Sequence, residues 1–153
     1  MKFVVNQILV LFAIVLFGSL LPLQTQAITD KVPASDHPLW GEFAKCKFMR
    51  DEVRNLTILG YTPAVRKLDQ KEISISGFIT PLEPAKASSH FLLSKNSPTC
   101  SFCPPSRASE VIEVFTLSPV EWKDDMFTFS GRLELSRDSR SRIMFRLNRA
   151  VLK

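Results

Sequence analysis

The sequence predicts a small, mainly β domain with a short N-terminal helix, folded as an OB-like five-stranded barrel. Three observations lead there. Apolar residues recur with a period of two from Lys71 onward, five short β-type runs follow one another, and Gly77 and Gly131 stand inside two of them. Glycine permits the bend or bulge that a closing corner of a small barrel requires. An open antiparallel sheet carrying the helix is the alternative architecture, and the pattern alone does not separate the two.

The chain has 153 residues, enough for one domain and too few for two. Its first part stands outside that domain. Lys2 supplies a positive start, Ile8 to Leu16 is uninterrupted hydrocarbon, Pro22 breaks a helix, and Thr25-Gln26-Ala27 puts small residues where a signal peptidase reads. Residues 1–27 are therefore expected to be a signal peptide, cleaved after Ala27, and the mature protein is expected in the periplasm. Asn6, Gln7, Gly18, Ser19 and Pro22 interrupt a stretch that would otherwise approach the roughly 20 residues of a membrane span. No stable span is expected after cleavage. Residues 28–35 read as a linker and 36–153 as the single β-rich domain.

Within that domain, Asp36 can cap a short helix with Pro38 in its first turn, and Leu39, Trp40, Phe43 and Ala44 fall at helical spacing. The first strand alternates Ile73, Ile75, Gly77 and Ile79 with Glu72, Ser74, Ser76 and Phe78, and Pro81 ends it. His90 to Leu93 is a second. Glu110 to Thr116 is apolar at neighbouring positions, as expected of a strand covered on both faces. In the fourth, Phe127, Phe129, Gly131, Leu133 and Leu135 point one way; in the fifth, within Arg142 to Val151, Ile143, Phe145 and Leu147 do so.

The formal net charge is +5 and lies at one end: Gly131 to Lys153 holds seven basic residues against Glu134 and Asp138. A cytoplasmic protein so built would suggest nucleic acid. For an exported chain no nucleic acid is expected, and the basic residues read as a solvated strand face.

Catalysis is not expected. Only His37 and His90 are present, with no HExxH helix, no serine elbow and no phosphate-cradling glycine loop. What stands out is Cys100-Ser101-Phe102-Cys103-Pro104-Pro105, two thiols three residues apart in an oxidising compartment. Such a pair serves a metal, a disulfide or dithiol exchange. The prolines that follow leave no helix N-terminus to lower a thiol pKa, which disfavours exchange. A disulfide would rigidify the loop. Zinc would need two further ligands beyond Cys100 and Cys103, for which His90, Cys46 and His37 are the candidates. Cys46 also fits a buried small hydrophobe beside the helix.

Gly77-Phe78-Ile79-Thr80-Pro81-Leu82, then His90-Phe91-Leu92-Leu93, then the cysteine and proline loop, then Glu110 to Val114, resemble in order the DUF3299 family of small exported bacterial proteins. Trp40 and Tyr61-Thr62-Pro63 look like its lead-in. The resemblance implies a periplasmic β-rich binding or accessory protein. It also implies zinc handling and association with an ABC-type transport system or another envelope protein, and it implies no known reaction.

Overall fold

The structure is a computed structural model that describes residues 32–98, 107–121 and 123–153. Helix α1 (Pro38–Phe43) leads into a hairpin of β1 (Lys47–Asp51) and β2 (Leu56–Gly60), followed by a one-turn helix α2 (Pro63–Arg66). Five strands complete the domain: β3 (Glu72–Pro81), β4 (Ala87–Ser94), β5 (Val111–Glu121), β6 (Met126–Leu135) and β7 (Phe145–Leu152). They close in the order β3-β4-β5-β7-β6, with β6 paired back to β3. Every pairing is antiparallel except that of β5 with β7. This closed, mixed five-stranded barrel is the OB-like architecture, and the open sheet is excluded by the β3–β6 pairing.

Alternation places the core. Ile75 of β3, Phe91 and Leu93 of β4, Ile112 and Val114 of β5, Phe129 and Leu133 of β6, and Phe145 and Leu147 of β7 all point inward and are fully buried. Strand β5 differs from expectation. Its burial alternates, with Val111, Glu113 and Phe115 on the outer face, because it forms a barrel wall and not the middle of a covered sheet. Register shifts between Ser88 and His90, Val114 and Thr116, and Ser130 and Arg132 increase the local coiling that a five-stranded barrel needs.

Gly77 and Gly131 serve close approach. A Cβ on Gly77 would lie 2.6 Å from the Ser94 carbonyl oxygen, and one on Gly131 would lie 2.9 Å from both Ala150 Cα and the Asn148 carbonyl oxygen. Neither takes a positive φ. The neighbouring strands pass where a side chain would otherwise stand.

Helix α1 seals the barrel where β7 begins. Phe43 stacks on Phe145 at 4.0 Å between centroids, Trp40 meets Phe43 edge-on at 6.0 Å, and the Trp40 indole N–H donates to the Ser76 carbonyl at 2.7 Å. The helix begins one residue later than expected. Its cap is His37, whose Nδ1 accepts from the Leu39 N–H, instead of Asp36. The end of the segment expected as a linker is tied down: the Ser35 N–H donates to the Lys95 carbonyl, and the Ser97 N–H to that of Pro33. The β1–β2 hairpin and α2 were not anticipated.

Candidate functional site

A cleft of about 1080 Å³ opens where the β1–β2 hairpin faces the connection between β6 and β7. Phe48 and Asn55 to Ile58 come from the hairpin, Leu92 from β4, Ala108 and Val111 from the approach to β5, and Arg137 to Arg140, Arg142 and Ile143 from the β6–β7 loop. Phe48, Leu56, Ile58, Leu92, Val111 and Ile143 make it largely apolar, and the arginines form one wall.

The loop is closed at its base. The Ser136 N–H donates to the Met144 carbonyl at 2.9 Å, and the Tyr61 hydroxyl lies 2.8 Å from the carbonyl oxygens of both residues. Burial pushes the Tyr61 phenol well above its usual pKa, so it stays a donor. Within the loop, the Asp138 carboxylate accepts from the Arg140 N–H at 3.0 Å and from its guanidinium, and the Ser141 hydroxyl donates to the Asp138 carbonyl. Arg142 follows in a left-handed conformation, with φ 57°. Asp138 thus engages Arg140. The guanidinium groups of Arg137 and Arg142 form no ion pair or hydrogen bond with any described residue, and both residues are exposed.

The opposite wall is built from a tight turn. Asp51 Oδ1 accepts from the N–H groups of Val53 and Arg54 at 3.1 Å, Asn55 takes φ 50°, and the Arg50 guanidinium donates to the Asn55 side chain. Leu56 and Ile58, two residues apart, remain 57% and 40% exposed. Apolar side chains at that spacing share one face of a strand.

The residues expected as metal ligands fall in different surroundings. Cys100 and Cys103 lie outside the described residues. Cys46 is buried directly after α1, its backbone N–H bonded to the Phe43 carbonyl and its thiol pointing at the Glu42 carbonyl at 4.0 Å. Burial raises the Cys46 pKa, with the Glu42 charge adding to it and a bond from the Thr62 backbone opposing. It packs as a small core residue. His37 is spent as the α1 cap.

His90 sits on the outer face of β4. Its ring stacks on Phe115 at 4.3 Å, and Nε2 lies 3.1 Å from Glu113 Oε1, while Arg146 Nε donates to Glu113 Oε2 at 2.7 Å. Burial would raise the Glu113 pKa, but the bonds from Arg146 and His90 outweigh it and hold the carboxylate below its usual range. Four residue steps along the strand separate His90 from Ser94, where β4 stops pairing with β5, a run of about 13 Å. Among the described residues, no three His, Cys, Asp or Glu side chains converge to hold a metal ion.

The cleft was missed in the sequence because one wall of it is the unanticipated hairpin. The other wall was in view as a basic segment and was read as solvated.

A family model described as "Protein of unknown function (DUF3299)" matches residues 19–146. A crystal structure of a DUF3299 family protein from Pseudomonas aeruginosa PAO1 is similar at 22% identity and a TM-score of 0.47, over 62% of this chain and 67% of that one. No curated protein matches the chain. With the family model spanning most of the sequence, including the barrel strands β3 to β6 and both walls of the cleft, the chain belongs to the DUF3299 family.

Proposed function

We propose that the protein is an exported, non-catalytic binding module of the cell envelope whose ligand occupies the cleft between the β1–β2 hairpin and the Ser136–Met144 loop. One observation carries this reading: an apolar cleft of about 1080 Å³ lies beside two arginines with no acidic partner among the described residues. Apolar surface gathered in a concavity and guanidinium groups left to solvent both gain by being covered, the first by desolvation and the second by charge pairing. A ligand that is partly apolar and partly anionic satisfies both. His90 and Glu113 add no catalytic role here, because the carboxylate is committed to Arg146 and the imidazole to the carboxylate. The sequence pattern of residues 1–27, Lys2 followed by the hydrocarbon run Ile8 to Leu16 and then Thr25-Gln26-Ala27, supports export and a periplasmic site of action, with an envelope protein such as an ABC-type transport component as the proposed partner.

The aromatic anion 1-anilinonaphthalene-8-sulfonate tests the cleft. It is expected to bind the folded protein once per chain, and the double variant Arg137→Glu/Arg142→Glu should weaken that binding by about tenfold without moving the thermal midpoint. Absence of saturable binding, or equal binding by the variant, would sink this reading.

For the cysteine pair we propose a disulfide between Cys100 and Cys103 in preference to zinc. The burial of Cys46, the engagement of His90 by Glu113 and the capping of α1 by His37 support this, since all three further ligand candidates already have other roles. Thiol alkylation read by intact mass is expected to add nothing to the native protein, one adduct after unfolding, and three after unfolding with reduction. Stoichiometric zinc in elemental analysis, or three adducts without reduction, would restore the metal reading.

A further inference from the structure

We propose that the occupant of the cleft is an extended acidic segment of a partner protein that pairs with the free edge of β2 as an added strand; this rests on the cleft being a ligand site.

Three consecutive strand residues, Leu56 to Ile58, line the cleft beside the turn residue Asn55. Successive strand side chains point to opposite faces, so a concavity touched by all three runs along the edge of the strand and not over one face. That edge is unsatisfied. β1 and β2 form a two-stranded sheet separate from the barrel, and among the described residues the backbone of Leu56–Gly60 bonds only to β1. Edge strands are ordinarily protected by charge, proline or a covering element. Leu56-Thr57-Ile58-Leu59-Gly60 carries neither charge nor proline. A two-stranded hairpin is marginal by itself, and a third strand would complete both its ladder and its apolar face.

The opposite wall sets the partner's charge. Arg137 and Arg142 are unpaired among the described residues, and the one carboxylate in the loop, Asp138, is taken by Arg140. A strand lying between the walls would place alternate side chains on Leu56, Ile58 and Leu92 and the others toward the guanidinium groups. Alternating apolar and acidic residues meet that requirement. A lipid or fatty acid meets the charge and the apolar surface but leaves the β2 backbone unpaired.

The probe is a capped seven-residue peptide of alternating glutamate and valine, titrated into the full protein beside the same peptide with lysine for glutamate. The acidic peptide is expected to bind about tenfold or more tightly than the basic one, and the binding should be lost in Arg137→Glu/Arg142→Glu. It should also slow hydrogen exchange at alternate amides of Leu56–Gly60, which a purely electrostatic contact would not do. If the anilinonaphthalene sulfonate binds and the peptide does not, or the amides exchange unchanged, the added strand is wrong and the cleft stands. If neither probe binds, both fail. Vesicles rich in phosphatidylglycerol that bind in place of the peptide would also overturn the inference.

Discussion

Replacement of Trp40 by alanine is expected to cost about 4 kcal/mol of folding stability, seen as a lower denaturant midpoint at unchanged slope. Trp40 is 1% exposed and touches the fold in two distinct ways. Its ring supports Phe43 edge-on, and Phe43 in turn stacks on Phe145, the first residue of β7. Its indole N–H satisfies the Ser76 carbonyl in the middle of β3. Helix α1 has six residues, too few to hold together without these contacts, so the cavity cannot close by adjustment of the helix itself. Trp40→Phe separates the two contributions. It keeps most of the ring contact and loses only the indole bond, and because the Ser35 hydroxyl also donates to Ser76 the carbonyl is not orphaned. A loss of about 1 kcal/mol is expected there. If Trp40→Ala costs less than about 1.5 kcal/mol, the helix is not the seal described above.

That seal bears on what could be read from sequence. The barrel strands were legible because each places its apolar residues on one side for long enough to be recognised: Ile73, Ile75, Gly77 and Ile79, and Phe129, Gly131, Leu133 and Leu135, are buried as their pattern indicates, with Phe78 buried beside them. The hairpin was not, because Lys47–Asp51 and Leu56–Gly60 bury little on either face and so carry no period. A strand that does not contribute a full face to the core leaves no alternation to find. For the same reason the cleft stayed hidden. Arg137, Arg140 and Arg142 belong to a loop that neither helix nor strand periodicity describes, and its shape comes from Tyr61, distant in sequence, reaching the carbonyls of Ser136 and Met144. Arg146, read with them as solvated, is instead paired with Glu113 across the β5–β7 ladder.

Gly131→Val should be strongly disruptive, destabilising by about 3 kcal/mol or more, seen as a lower denaturant midpoint. The obstruction is backbone. Ala150 Cα and the Asn148 carbonyl oxygen stand 2.9 Å from the position a Cβ would take, and neither can rotate aside as a flexible side chain would. Gly131 also lies at the register shift between Ser130 and Arg132, where β6 bends against β7, so relief requires β7 to move as a whole. Phe145 at the start of that strand would be drawn away from Phe43, and the loop that carries Arg142 would move with it. Gly131→Ala should therefore weaken 1-anilinonaphthalene-8-sulfonate binding as well as stability, although residue 131 does not line the cleft. Gly41→Ala supplies the opposite sign. It lies inside α1 with nothing within 4 Å of the added carbon, so removal of glycine's backbone freedom should stabilise by about 0.5–1 kcal/mol and leave the probe's affinity unchanged. Equal effects of the two alanine substitutions would mean that the β6–β7 approach does not set the barrel's closure.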